Sequence, residues 1–516
     1  MRIRVGSDRE NLWQEVQKQT RVPSYCSGNG RCGKCLVKVI SGEASVSAAD
    51  RKHLSEAEIE EGYRIGCQSR PLTECEIEVK DHGEEDMQVL AVSVEEESTV
   101  AKKESRLCSI AVDIGTTTLA FALVDASGAV IATEQLINSQ RSYGADVVSR
   151  ITAALKGQEA ELTECIRRDV HEGIHRLLRK KNRTLSDVTK IAVAGNTTME
   201  QLFFGLSLEG LGSYPFTPHT KGFLKAEYRE LYPEMDGSEC EINLPVMGFP
   251  CIAGFVGGDI TAGLFELTAS KEEERNGKKA AGTQLFLDIG TNGELAYIAE
   301  DAIIVASTAA GPVFEGAAIS CGAGCVPGAI YATKIAEDML ECKTIEGKSP
   351  VGICGSGLIE AVADMLTLGL IDREGSLSPF YQKNGYLVAR TKEGWEVKLT
   401  QTDIREFQMA KAAIAAGVEL LTKESGHAKN PERFELAGGF GNGLSVNKAI
   451  KTGILPKEAG GKTTSVGNTA LKGAVRLLRE GEAGKLQIEK LLSRIRHVQL
   501  AECEEFQACY LRHMNF

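Results

Sequence analysis

The sequence predicts an α/β protein in two unequal parts: a small β-rich unit, then a larger α/β body built from a duplicated segment. Three observations carry this. Four cysteines, Cys26, Cys32, Cys35 and Cys67, fall in the first 70 residues, the first three among glycines. Residues 81–106 are rich in charge and poor in aromatics, as solvated linkers are. The hairpin sequence Asp113-Ile114-Gly115-Thr116 returns as Asp288-Ile289-Gly290-Thr291, each time at the head of strands alternating with helices.

In the first unit, Leu36-Val37-Lys38-Val39-Ile40 alternates as a strand, Ser41-Gly42-Glu43 turns it, 55–61 has the pattern of a short helix, and 75–80 alternates again. The run Cys26-Ser27-Gly28-Asn29-Gly30-Arg31-Cys32-Gly33-Lys34-Cys35 with Cys67 beyond it spaces thiolates as C-x5-C-x2-C…C, close to the plant-type [2Fe–2S] pattern. Glycine lets the backbone wrap one centre through conformations closed to other residues. A zinc knuckle would pair two short Cys motifs or add histidines, and neither stands nearby. Cys75 could compete as fourth ligand, but it shares a strand face with Ile77 and Val79, which favours core packing.

The chain has 516 residues, 15 cysteines and a formal net charge of −12. No basic stripe offers itself to phosphates, which argues against a nucleic-acid partner. No run of about 18 apolar residues predicts a membrane span. The start, Met1-Arg2-Ile3-Arg4-Val5-Gly6, has no apolar signal region, so the cytoplasm is expected, with cysteines on iron or buried as small hydrophobes.

In the larger body, apolar residues recur at helical spacing over 162–180, 357–370, 404–421 and 468–479, and 271–280 reads as a charged break. Each hairpin sets an aspartate, Asp113 or Asp288, just ahead of a Gly-Thr turn. Free N–H groups and hydroxyls at Gly115, Thr116 and Thr117, and at Gly290, Thr291 and Asn292, can cradle phosphate oxygens. The two aspartates would hold Mg²⁺ through water. A third element, Glu435-Leu436-Ala437-Gly438-Gly439-Phe440-Gly441-Asn442, puts Gly438 and Gly439 after a strand, where the backbone can approach a purine. Any one of these alone reads as an ordinary β-turn.

Residues 113–118, 288–292 and 437–441 resemble the phosphate-1, phosphate-2 and adenosine motifs of the acetate and sugar kinase/Hsp70/actin superfamily. Ala253-Gly254-Phe255-Val256-Gly257-Gly258-Asp259-Ile260 and Ser465-Val466-Gly467-Asn468-Thr469-Ala470 resemble its two connecting helices. With the cysteine module ahead of it, the chain resembles the reductive activators of corrinoid-dependent methyltransferase proteins. The family's own blocks are matched at Ala194-Gly195-Asn196-Thr197-Thr198-Met199, at Ala310-Gly311-Pro312-Val313-Phe314-Glu315-Gly316-Ala317 and at Gly352-Ile353-Cys354-Gly355-Ser356-Gly357-Leu358. The resemblance implies a β-grasp, ferredoxin-like domain (1–80), the linker (81–106), and a ribonuclease H-like, actin-like ATPase. Lobe I would be 107–265, and lobe II 266–516 with a C-terminal return to lobe I.

It further implies ATP-driven transfer of one electron from the [2Fe–2S] cluster to cob(II)alamin on a corrinoid protein, fed by a low-potential donor. Some relatives carry a dimerising domain where only 81–106 stands here, so a homodimer is left open. The tail, with Cys503 and Cys509 alone, is too short of thiols for a further cluster. Two rivals stand beside this reading. One is a small-molecule kinase with a redox-sensing domain and Asp259 as its base; the other is an electron-carrier scaffold that binds ATP without hydrolysing it. His171-Glu172-Gly173-Ile174-His175 fits a zinc-protease pattern, but it sits in a charged amphipathic helix with no third ligand evident. Gly460-Gly461-Lys462-Thr463 reads as a surface turn. Cys321 and Cys325 lie in a glycine-rich loop that either packs closely at the cleft or donates to a cluster shared across a dimer, as in the activators of 2-hydroxyacyl-CoA dehydratases.

Overall fold

A computed structural model describes residues 1–19, 30, 33, 35–79, 105–144, 146–233, 242–275, 282–290, 292–316, 318–337, 339–392, 394, 396–426, 431–438 and 444–516. The first unit is a four-stranded sheet of β1 (Arg2–Val5), β2 (Leu36–Ser41), β3 (Tyr63–Ile65) and β4 (Cys75–Val79), in the order β1-β4-β2-β3. Alternation decides its faces: Cys75, Ile77 and Val79 turn into a core with Ile3, Val5, Trp13 and Val37. The expected short helix is Glu56–Glu60, started by a capping box in which Ser55 and Glu58 satisfy each other's backbone N–H groups.

The body is built on two six-stranded sheets with the same plan. The first holds β5 (Cys108–Ile114), β6 (Thr118–Asp125), β7 (Val130–Ile137), β8 (Val188–Gly195), β9 (Leu224–Glu227) and β10 (Pro245–Gly248), ordered β7-β6-β5-β8-β10-β9. After it come β11 (Gln284–Ile289), β12 (Gly293–Ile298) and β13 (Ile303–Thr308). A small sheet of β14 (Ala329–Ala336), β15 (Met339–Thr344) and β16 (Gly352–Ile353) follows, then a ribbon of β17 (Tyr386–Arg390) and β18 (Glu396–Leu399). Finally β19 (Arg433–Ala437), β20 (Thr463–Gly467) and β21 (Ile495–His497) complete the second large sheet as β20-β19-β11-β12-β13-β21.

In both sheets three antiparallel strands are followed by two parallel ones, and the repeat seen in the sequence is therefore a repeat of topology. The copies differ at the turn. Asp113 pairs with Ala120, whereas Asp288 pairs with Glu294, so the second loop is one residue shorter.

Two helices run between the sheets: Gly258–Arg275, and Thr469–Glu480, which is capped by Asn468. They share one apolar core with Ala111 and Ala122 of the first sheet and Phe286 and Val305 of the second. Their contact is made by glycine. A Cβ on Gly473 would lie 2.1 Å from the Ala262 carbonyl oxygen, and one on Gly263 would lie 2.8 Å from the Thr469 hydroxyl.

The other predicted helices are Glu159–Arg179, Gly355–Thr367 and Gln401–Glu424. The charged break expected at 271–280 is corrected in part: the helix runs on to Arg275. Lys271, Glu272, Glu273, Glu274 and Arg275 all have high helix propensity, so charge alone does not stop a helix already nucleated upstream. Residues 276–280 lie outside the described residues.

Candidate nucleotide cleft and cluster-binding loop

The Gly-Thr turn of the first hairpin is clamped from below by three side chains. Asn138 Nδ2 donates to the Gly115 carbonyl at 2.9 Å, and the Asn138 backbone N–H donates to Thr117 O at 3.0 Å. The fully buried Arg150 reaches Thr116 O at 2.5 Å, and burial pulls its guanidinium down to about 10. Asn196 Nδ2 donates to Thr116 Oγ1 at 3.0 Å while its Oδ1 caps the helix Thr197–Phe204. A loop fixed in this way meets an anion with little reorganisation left to do.

Carboxylates converge above that turn. Burial and the nearby Asp259 push Asp113 up to about 7, although the Asn468 amide, donating at 2.6 Å, favours its charged form. Asp288 is likewise pushed to about 7 by burial and by Asp259, Asp113 and Glu315. Asp259, in the first turn of the helix Gly258–Arg275, rises to about 6 through burial. Glu200 and Glu294 go up for the same reason, burial first and Asp259 next. Like charges gathered in a low-dielectric cleft disfavour one another's ionisation, and a bound cation would relieve that; oxygen donors are the kind Mg²⁺ takes. The third element also arrives: Ala437 pairs with Asp288, and a Cβ on Gly438 would fall 2.7 Å from Asp288 Oδ1. Gly438 has φ +84°, in the left-handed region where glycine is at ease.

Asp113, Asp288, Gly115, Thr116, Thr117, Gly290, Asn292 and Gly438 are thus all at the cleft; Thr291 and Gly439 lie outside the described residues. Asp259 stands with the two hairpin aspartates. Sequence reasoning missed Glu200, Glu294, Glu315 and Asn468 as members. Asn468 was the most accessible of these, as an N-cap residue opening the second connecting helix.

In the small unit, the Cys35 and Cys67 sulfurs lie 3.1 Å apart and both residues are buried. Gly30 and Gly33 take φ of +65° and +67°, and Gly66 fits against the Trp13 ring and the Cys35 carbonyl where a Cβ would meet them at 3.0 and 3.2 Å. Two thiols converging in a glycine-built loop fit an iron–sulfur centre; Cys26 and Cys32 lie outside the described residues. The segment bearing Cys67 is fixed by the buried Asp50, which belongs to none of the motifs read from the sequence. Its carboxylate accepts from Ile65 N–H at 2.5 Å, Ser69 Oγ at 2.8 Å and Ser47 N–H at 2.6 Å. Cys75 packs as expected: it is buried in β4, its S–H reaches the Glu43 carbonyl at 3.1 Å, and burial raises its thiol.

The zinc-protease pattern dissolves into packing. His171 bonds the Tyr228 hydroxyl at 2.9 Å and its ring lies tilted 4.3 Å from that of His175, while Glu172 pairs with Arg176 at 2.6 Å.

The fold and site define a two-lobed protein of the sugar-kinase and actin type, carrying a [2Fe–2S] domain at its N-terminal end. Family models agree: the 2Fe-2S iron-sulfur cluster binding domain matches residues 3–72, the RACo middle region 108–272, and the C-terminal domain of RACo, the ASKHA domain, 282–516. The chain is 32% identical over 440 residues to the corrinoid activation enzyme RamQ of Eubacterium limosum, covering 80% of this chain and 71% of that one. It is 28% identical over 441 residues to the [Co(II) methylated amine-specific corrinoid protein] reductase of Methanosarcina barkeri, covering 79% and 76%. A solved reductive activator for corrinoid, iron-sulfur protein superposes with a TM-score of 0.71 at 26% identity, covering 99% of this chain and 96% of that one. The chain belongs to the family of reductive activators of corrinoid proteins. No helix among the described residues is long and apolar enough to cross a membrane.

Proposed function

We infer that this protein uses ATP to drive one electron onto cob(II)alamin held by a corrinoid protein of a methyltransferase system, regenerating cob(I)alamin. The observation that carries this reading is the joining of a thiol-lined, glycine-built loop to a carboxylate-lined cleft in a chain of this family. Cys26, Cys32, Cys35 and Cys67 would hold the [2Fe–2S] cluster, which supplies one-electron transfer. Asp113 and Asp288 would hold Mg²⁺ with Asp259 beside them. The turns at 115–117 and 290–292 would take the phosphates, and Gly438 and Gly439 the adenosine end. Of the division at 1–80, 81–106, 107–265 and 266–516, the family matches at 3–72, 108–272 and 282–516 support the first two boundaries, while 265/266 falls inside the middle-region match and the helix Gly258–Arg275; the thiol-rich composition supports a cytoplasmic site.

Moving one electron uphill by roughly 100–200 mV costs about 2–5 kcal/mol. ATP can offset that only by changing the complex, and the two lobes give it a means: their closure around Mg-ATP would alter affinity for the Co(II) state of the partner. The deciding experiment is an anaerobic reduction assay with the corrinoid protein, an artificial low-potential donor and ATP. Cys67→Ser should abolish the visible cluster bands and cobalt reduction while nucleotide binding persists. Asp288→Asn should keep the bands and lose corrinoid-stimulated ATP turnover. Cobalt reduction by the first variant, or normal turnover by the second, refutes the assignment.

A further inference from the structure

Three donors of different chemical kinds meet where the last helix, Phe506–Arg512, packs on the long helix Gln401–Glu424. Ion pairs fix how the two helices sit. Lys423 meets Glu505 at 2.5 Å. One turn back along the long helix, Glu419 takes Arg512 at 2.5 Å on Oε1 and His513 at 2.7 Å on Oε2. Cys509 and His513 stand four residues apart, and His513 N–H donates to the Cys509 carbonyl at 3.1 Å, so helical geometry sets both side chains on one face. A donor atom from each of Glu419, Cys509 and His513 lies within 4.8 Å of the other two. Cys509 is buried, His513 half-buried and Glu419 exposed, so the group reaches from the core to the surface.

A thiol, an imidazole and a carboxylate around one point are the ligands of a borderline-soft dication. Mg²⁺ and Ca²⁺ take oxygen donors, whereas Zn²⁺ takes sulfur at about 2.3 Å and nitrogen or oxygen at about 2.0–2.2 Å. Tetrahedral donors at those lengths stand roughly 3.3–3.6 Å apart, which small side-chain rotations would reach from the positions seen. The thiolate and carboxylate charges would balance the ion. Arg512 would keep hold of Glu419 Oε1 while the other oxygen binds, and ligating carboxylates ordinarily carry such a partner. The Cys509 thiol reaches the Ala416 carbonyl at 4.0 Å, a long and weak contact that a metal bond would readily replace. Glu419 and His513 also line a cavity of about 310 Å³ with Val418, Phe434, Ile454 and Pro456, from which water can approach.

We propose that Glu419, Cys509 and His513 bind one Zn²⁺ through a carboxylate oxygen, the thiolate sulfur and a ring nitrogen, with water in the fourth position on the cavity side. Binding releases the thiol proton to solvent, so affinity rises with pH. The ion would pin the last helix to the one whose Ala413 carbonyl accepts from Thr308 Oγ1 at the end of β13.

The test titrates Zn²⁺ into the full chain, cluster-loaded so that the cluster cysteines are occupied, under anaerobic conditions and in competition with a chromophoric chelator. Zinc-edge X-ray absorption then reports the neighbours of the bound ion. The expected result is one tightly held Zn²⁺ per chain, unchanged visible cluster bands, one sulfur with three nitrogen or oxygen neighbours, and a higher thermal midpoint. Glu419→Gln and His513→Gln, both reached by solvent, should each weaken binding by at least roughly 10- to 100-fold. Cys509→Ser should remove the sulfur neighbour, and if loss of this buried thiol prevents folding, the other two variants decide. The proposal is overturned if no tight equivalent binds, if both glutamine variants bind as the unsubstituted protein does, if the ion has no sulfur neighbour, or if uptake bleaches the cluster.

Discussion

Asn468 does two jobs with one amide: its oxygen caps a helix by accepting Leu471 N–H at 2.7 Å, and its nitrogen holds Asp113. Serine caps helices about as well as asparagine does, but its single hydroxyl cannot both accept from Leu471 N–H and reach the Asp113 carboxylate. Asn468→Ser should therefore keep the cap and cut corrinoid-stimulated ATP turnover by roughly 10- to 100-fold, the worth of a hydrogen bond to a charged group. Turnover close to that of the unsubstituted protein would mean that the cap alone matters. Asp50 offers the converse case. Asp50→Ala would leave buried donors on Ser47, Ile65 and Ser69 without their acceptor, a loss of about 1–3 kcal/mol or more. We expect lower cluster occupancy after reconstitution, measured as visible absorbance per chain, with nucleotide binding intact. Neither full role could be read from the sequence, because Asp50 also binds Ile65 and Ser69, 15 and 19 positions on, and Asn468 also binds Asp113, 355 positions back.

At the scale of elements, the repeated hairpin was legible because Asp-Ile-Gly-Thr recurs between strands of strongly apolar pattern, and these became β5–β6 and β11–β12. The long amphipathic helices were legible for the same reason of period. What stayed hidden was the company each hairpin keeps. Glu200 and Glu315 sit on a helix and a 3-10 turn whose local patterns say nothing of a cleft. The connecting helices make a further prediction. Replacing a helical glycine ordinarily gains propensity, yet at Gly473 a side chain would strike the Ala262 backbone, which cannot swing aside. Gly473→Val should cost about 1–3 kcal/mol in chemical denaturation and lower ATP turnover, whereas a propensity-dominated site would be stabilised.

Over the whole molecule, the carboxylates that meet in the cleft come from both halves, with Asp113 and Glu200 from the first and Asp288, Glu294 and Glu315 from the second. Asp113 and Asp288 bind protons up to about pH 7 when folded and only up to about pH 4 when unfolded. Between those values the folded state holds more protons, so their contribution to stability is complete below about pH 4 and is lost as pH rises through 7. Without metal or nucleotide, the thermal midpoint should fall from pH 5.5 to pH 8, and Mg-ATP should remove most of that fall by neutralising the charge. A midpoint that rises over this range without Mg-ATP would contradict the cluster.

The last two strands of the second large sheet sit on its opposite margins, β20 on one and β21 on the other, and the chain between them is the helical excursion toward the first sheet. That excursion works like a strap buckled at both ends. The second sheet cannot fan open strand by strand without pulling on one fastening or the other, so movement imposed at the nucleotide must be passed on as rotation of an undivided block. A surface that docks a corrinoid partner on that half would consequently shift all at once, which suits an all-or-none handover of a single electron.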